Sequence, residues 1–439
     1  MKVQGTLLCL PLVVAMASTA SSLPPAFLDA YTFFSSKMRR TGTQGGVGLY
    51  YDHYSLPGGT ATSPISIGST GFGMISVCIG SALGLFPKLD AIRFTTESLE
   101  SLLGEREGFT PKRSKRTNFF AHFLNPETGD AASKTTEIST VDTALMAAGA
   151  MFARNYLKDP TVEQKTNTLV RSIDWGAVVG EDPYLCMVMD GETGDPDWSK
   201  KTRPFNEYYI LAYVGKVVEG EMNKSGPATT YFNKYYGNPP QSLKDAGAAN
   251  KSYWGYNVWS DSENHFASSF EVQFCYYLSK FFQTNAVYKE FFVQSAAADW
   301  KYFQNVFQNP AYKNVVTKYA PYQWGCGAGE YPGGYFAAAI DNNPKLVYSA
   351  PIVAGFFPAD DAVSKLLPQS YIHIADALDQ LYTNQVCTSD VEGKKVLWRR
   401  SLLEKDWQPG AIQSVDFSTF LLGYAWKLAG ADFFSNNAI

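Results

Sequence analysis

The chain has 439 residues, 45% of them hydrophobic and 15% aromatic, with a formal net charge of −4 and a pI near 5.7. That acidic balance excludes an electrostatic grip on nucleic acid or on an anionic membrane surface. The apolar content is enough for a full core, and no composition break or low-complexity linker divides the chain.

Residues 1–20 read as an export signal. Lys2 gives the positive start, Leu7–Met16 the apolar stretch, and Ala15-Met16-Ala17 or Ser18-Thr19-Ala20 the small-residue cleavage site. The apolar stretch is shorter than the roughly 18 residues a membrane helix needs, and nothing later approaches that length. The expectation is a secreted, monomeric protein in which residues 21–439 form a single domain.

Helical spacing of apolar residues then recurs along the chain. It predicts helices at Pro25–Met38, Thr70–Leu85, Thr95–Leu103, Thr140–Leu157, Thr161–Ile173, Asn206–Val218, Ala267–Phe282, Val287–Phe307, Asp360–Tyr382 and Ser414–Leu428. Four of these (Thr70–Leu85, Thr140–Leu157, Asn206–Val218, Ser414–Leu428) are apolar on most faces, as buried helices are, whereas Thr161–Ile173 and Asp360–Tyr382 keep a solvated side. Such alternation suits an all-α double-layered helical barrel, inner helices walled by outer ones, with long loops. Strand signals are short, around Tyr184–Met189 and Lys395–Trp398.

The stretch Thr136–Tyr156 is the most telling. It sets Glu137 and Asp142 at the mouth of an apolar helix with Ser139 and Thr140 as capping candidates. Ionised groups are costly to bury unless paired, so a cleft is one reason for acids there. Many of the 27 tyrosines and 9 tryptophans fall in loop-like sequence, and rings with a polar tip suit sugars, whose C–H faces stack while their hydroxyls hydrogen-bond. Sequons at Asn223-Lys224-Ser225 and Asn250-Lys251-Ser252 mark a candidate glycosylated, exposed region. Of the cysteines beyond the signal, Cys78 and Cys275 sit in apolar helices. Cys326 and Cys387 lie in loop-like sequence and are the favoured disulfide pair. The four histidines, His53, His122, His265 and His373, are dispersed and no Cys/His spacing resembles a zinc site, so neither a metal nor a cofactor is expected.

Four motifs in order resemble the glycoamylase-like family of glycoside hydrolases that contains the bacterial endo-β-1,2-glucanases. They are Ser66-Ile67-Gly68-Ser69-Thr70-Gly71-Phe72-Gly73 with the small-residue helix behind it, and the run Phe119 to Leu157. Arg171–Trp175 with Pro204–Val214 comes third, and Tyr319–Tyr335 with Tyr348-Ser349-Ala350-Pro351 fourth. The resemblance runs from about residue 45 to the C-terminus. It departs at Ala328-Gly329-Glu330-Tyr331-Pro332, at Gln273-Phe274-Cys275-Tyr276, where the family has a histidine, and in the final AIQSVDFSTFLLGYAWK segment.

The resemblance implies an (α/α)6 toroid and a secreted enzyme that hydrolyses β-glucan, β-1,2-linked and cut internally, by inversion. Glu207 matches the family's Asn-Glu glutamate and is the expected general acid. Asp416 matches a late aspartate in order and setting and is the expected base, with an acid of the Glu137/Asp142 pair as the alternative. Glu137, Asp142, Trp175, Trp324, Glu330 and Tyr335 are the expected substrate-binding residues, and a glucan is the expected partner. Two other readings stay open: a transglycosylase or hydrolase of another glucan linkage, and a non-catalytic sugar-binding toroid.

Overall fold

The computed structural model describes residues 23–40, 46–56, 63–262, 268–367 and 371–439. The expected signal at 1–20, with Cys9, and His265 lie outside them. In chain order the helices are α1 (Pro25–Phe33), α2 (Ile67–Ala82), α3 (Lys88–Leu103), α4 (Thr140–Leu157), α5 (Pro160–Arg171), α6 (Tyr209–Glu221), α7 (Pro227–Tyr235) and α8 (Gln241–Asp245). There follow α9 (Ser269–Leu278), α10 (Lys280–Thr284), α11 (Ala286–Gln308), α12 (Ala350–Gly355), α13 (Asp360–Leu366), α14 (Ile374–Thr383), α15 (Ser414–Ala429) and α16 (Ala431–Asn437). Among the described residues every sheet has two strands, and no helix is long and apolar enough to cross a membrane.

Six helices touch one another in a cycle. Helix α2 packs on α4, α4 on α6, α6 on α9, α9 on α12, α12 on α15, and α15 returns to α2. Their neighbours in sequence lie outside them: α3 on α2 and α4, α5 on α4, α7 on α6, α11 on α9, α14 on α12, and α1 and α16 on α15. Burial follows this division. In α2 every residue from Ile67 to Gly80 is buried, and α15 is buried throughout Asp416–Ala425. In α5 only Val162, Thr166, Leu169 and Val170 are, the single stripe of an amphipathic helix.

Small residues let the inner helices approach. A Cβ on Gly149 of α4 would lie 2.1 Å from the Gly71 carbonyl oxygen of α2, and one on Gly71 would lie 2.3 Å from that of Leu145. Short strands steer chain entry into four inner helices. Ile65–Ser66 pairs with Phe123–Leu124 before α2, Ile138–Ser139 with Val188–Met189 before α4, Val347–Ser349 with Arg399–Ser401 before α12, and Ala411–Gln413 with His53–Ser55 before α15. The Ser66 and Ser139 hydroxyls then accept from Ser69 N and Asp142 N, capping two of the helices they precede.

The expected helix at Thr140–Leu157 has those bounds, and most others are shifted by a few residues. Two are broken. The expected Ala267–Phe282 helix is interrupted at Ser279, which is extended, its hydroxyl capping α10 through Phe282 N. The expected Asp360–Tyr382 helix divides into α13 and α14, with extended backbone at Leu367, the residue before Pro368. The favoured Cys326–Cys387 pair is not formed. Cys78, Cys186, Cys275, Cys326 and Cys387 are all free and buried; Cys326 instead accepts a weak hydrogen bond from Asn343 Nδ2 at 3.7 Å.

Candidate active site

At one end of the cycle of helices lies a cleft of about 610 Å³ lined by the starts of α4, α6, α9 and α15. Ser139, Val141 and Asp142 come from α4 and the strand before it, and Glu137 immediately precedes that strand. Glu207 and Tyr208 immediately precede α6, Phe270 and Phe274 come from α9, and Gln413, Val415 and Asp416 from the entry to α15. Helix α2 joins through Gly68, where a Cβ would stand 2.5 Å from Asp142 Oδ1, so only glycine leaves room for that carboxylate. Helix N-termini carry partial positive charge and unpaired N–H groups. Their convergence explains how Asp52, Glu137, Asp142, Glu207 and Asp416 can share one cavity.

The acids are individually held. Asp142 Oδ2 accepts from Ser139 Oγ at 2.6 Å and lies 3.4 Å from His122 Nε2. The other imidazole nitrogen, Nδ1, is 2.7 Å from Glu137 Oε1, and the ring stacks on Phe123. Burial works against an imidazolium here, but the Asp142 charge and the Glu137 hydrogen bond overcome it and raise the His122 pKa to about 9. The same hydrogen bond holds the Glu137 carboxyl below its usual range. Asp52 pairs with His53 Nδ1 at 3.0 Å.

Asp416 sits in a different environment. Burial pushes its pKa up to about 7, opposed by the charge of Arg399 and by the Tyr335 hydroxyl and assisted by Asp52. The Tyr335 hydroxyl donates to the two carboxylate oxygens at 3.2 and 3.4 Å. Arg399 is fully buried, and its Nη2 donates to the Gly327 carbonyl at 2.6 Å, which ties the Trp324–Gly329 turn to the same centre.

Of the expected site residues, Glu207, Asp416, Glu137, Asp142 and Tyr335 line the cleft; Trp175, Trp324 and Glu330 do not. Trp175 is buried, its indole N–H donating to Val170 O at 2.8 Å and its ring edge-on to Phe119. It backs a separate groove of about 650 Å³ flanked by Arg116, Arg171 and Lys224. Trp324 is buried against Phe356. Glu330 accepts from the Ala411 N–H and donates its own N–H to Gln413 Oε1. It therefore clips the Glu330–Tyr335 hairpin to the strand that enters α15, and so places Tyr335 over Asp416. Trp175 and Glu330 make internal hydrogen bonds that a sugar would have to displace, and Trp324 is sealed in the core.

Sequence reasoning passed over Asp52, His122 and the Tyr208 hydroxyl. His122 lies within the quoted Phe119–Leu157 motif, the one signal that pointed to it. Tyr208 is 6% exposed, and its phenol faces the charges of Glu207 and Asp142, which raise its pKa further after burial has done so. One group of three potential metal ligands occurs among the described residues, Asp360, Asp361 and His373. It does not line the cleft, and Asp360 already accepts from Tyr371, His373 and the Ile374 N–H.

No protein-family model matches the sequence, and no curated protein does. Solved structures do. The endo-β-1,2-glucanase from Chitinophaga pinensis, in complex with sophorotriose and glucose, superposes with a TM-score of 0.71 at 15% identity, covering 96% of this chain and 97% of that one. A glucoamylase candidate from Bacteroides uniformis gives 0.69 at 16% identity, with 99% and 97% covered. The endo-β-1,2-glucanase from Talaromyces funiculosus, in complex with sophorose, gives 0.56 at 10% identity, with 95% and 87% covered. This chain has their fold.

Proposed function

We propose that the protein is a secreted glycoside hydrolase on an (α/α)6 toroid that cuts β-1,2-linked glucan internally with inversion. Glu207 is the general acid and Asp416 the general base. The observation that carries the reading is the convergence of Glu207 and Asp416, distant along the chain and borne on different helix entries, in a single cleft rich in carboxylates. Likeness of the fold to β-1,2-glucanases supports this choice of substrate class.

Hydrolysis of a glycosidic bond needs a proton delivered to the leaving oxygen and a water activated on the opposite face, through a transition state with oxocarbenium character. Glu207, at the cleft wall beside the Tyr208 phenol, delivers the proton. Asp416, with a pKa near 7, accepts the proton of the attacking water at near-neutral pH, where a matched base works best. Glu137 and Asp142 are both engaged with the His122 imidazolium. Their role is to orient sugar hydroxyls and to stabilise positive charge developing on the sugar ring, which leaves Asp416 as the base.

The test is Glu207→Gln assayed on linear β-1,2-glucan. Turnover falls by about 10²–10⁴-fold, the usual share of general acid catalysis, while polymer binding persists. Polarimetry then shows the inverted anomer as the first product. Turnover unaffected by the substitution removes Glu207 from the mechanism. A wild-type protein that cuts no member of a β-glucan panel refutes the hydrolase.

A further inference from the structure

A second cavity, of about 310 Å³, is lined by Gly180, Glu181, Tyr184, Trp198 and Lys201. Tyr184 precedes the pairing of Leu185–Cys186 with Lys201–Thr202, and Lys201 belongs to it; the chain leaving Cys186 passes from this cavity to the cleft. Met187, whose N–H donates to the Lys200 carbonyl, and Val188 face the cleft. Trp198 is 38% exposed, unlike Trp175 and Trp324, and among the described residues no tryptophan lines the cleft itself.

The ring is held in place. A Cβ on Gly180 would fall 2.2 Å from Trp198 Cζ3, so the indole lies directly on the glycine. The turn that presents it is closed by Asp197, whose Oδ1 accepts from Ser199 N and Oγ at 3.0 and 2.6 Å. Tyr184 is fixed too: its hydroxyl accepts from Arg203 Nε and Nη2 at 3.1 and 2.7 Å, and Lys201 Nζ stands 4.2 Å from its ring centre. The cavity therefore offers an immobilised aromatic surface, one carboxylate and one ammonium. Opposite charges give no net preference for an ion, whereas an apolar face flanked by a donor and an acceptor matches a neutral sugar ring. The volume lies at the small end of ligand pockets, suited to one hexose unit.

We propose that Trp198, with Glu181 and Lys201, forms an accessory subsite that holds a glucosyl unit of the polysaccharide beyond the part that enters the cleft. This rests on the β-glucan reading for the identity of the sugar. A chain long enough to reach both cavities gains a second attachment, and a short oligosaccharide confined to the cleft does not.

The experiment compares the wild type with Trp198→Ala and with Gly180→Ala, which displaces the indole, after circular dichroism has shown each folded. The expected result is that KM for linear β-1,2-glucan rises about three- to tenfold in both variants while KM and kcat for the shortest cleaved oligosaccharide stay unchanged. Titration with the polymer also changes tryptophan fluorescence in the wild type, and the change disappears in Trp198→Ala. Unaltered polymer KM in both variants, or a fluorescence change that survives Trp198→Ala, overturns the subsite. Because no tryptophan lines the cleft among the described residues, the two readouts separate. If no β-glucan is turned over, the hydrolase proposal falls, and saturable quenching by a glucan panel, lost in Trp198→Ala, still supports the subsite. Absence of any quenching overturns it.

Discussion

Replacing Tyr335 by Phe tests the assignment of Asp416 directly. The phenol donates to both oxygens of the Asp416 carboxylate, at 3.2 and 3.4 Å, and so favours the ionised form. A hydrogen bond to a charged group contributes about 1.5–3 kcal/mol net, and about 1.4 kcal/mol corresponds to one pH unit. The Tyr335 residue is 64% exposed, so water recovers part of that loss, and the expected rise in the Asp416 pKa is about one unit. Asp416 starts near 7 and works as base only when ionised, so the acidic limb of kcat/KM on linear β-1,2-glucan moves to about pH 8 in Tyr335→Phe. Asp52→Asn removes a like charge that raises the same pKa, and the limb moves below 7. Carbon-13 NMR of the Asp416 carboxyl follows the same constant without substrate. Limbs that coincide in wild type and both variants would show that Asp416 is not the titrating base.

Three further outcomes follow from the same geometry. His122 has its pKa raised to about 9 in the folded chain against about 6.5 unfolded. Its pairing with Glu137 and Asp142 therefore stabilises the fold fully below pH 6.5, by up to about 3 kcal/mol, and the contribution is lost as pH rises through 9. Urea titrations of wild type and His122→Phe at pH 6 and pH 10 should differ widely at the first and little at the second. Gly149→Ala drives a methyl group into the Gly71 backbone at 2.1 Å. It should lower stability by about 3 kcal/mol, the upper end for overpacking, measured by urea denaturation; an unchanged midpoint would contradict the close approach of α2 and α4. With Cys78, Cys186, Cys275, Cys326 and Cys387 all free, reductant should leave the melting temperature unchanged, and each thiol should react with Ellman's reagent only after unfolding. A disulfide found by mass spectrometry would contradict this.

Periodicity served best where a helix is long and its environment uniform. The boundaries of α4 were legible because eighteen residues keep one pattern between a serine cap and Lys158 in the left-handed region. Helix α12 was missed because its six residues, Ala350–Gly355, are too few for a period to register, although it completes the cycle of inner helices. Helices α7 and α16 and the Ala249–Ser260 hairpin were missed for a related reason: their aromatic and polar residues read as loop, and packing on neighbours decides their form. Among the candidate site residues, acids beside apolar helix starts gave a usable signal, since an isolated carboxylate in such a setting needs a cavity or a partner. Aromatic residues in loops gave a weaker one, right for Tyr335 and not for Trp175 and Trp324, because the same ring serves equally to seal a core. Trp175 and Trp324 are buried, while Trp198 is exposed.

The order and character of the residues determined an acidic, helix-rich chain of inner and outer helices with carboxylates at helix mouths, because these follow from local spacing and from the cost of burying charge. Tertiary structure alone decided which carboxylates meet, that His122 joins Glu137 to Asp142, that Glu330 clamps a hairpin, and that the cysteines stay unpaired. Those outcomes depend on distances between segments far apart in the sequence, which only the packing of the helices sets.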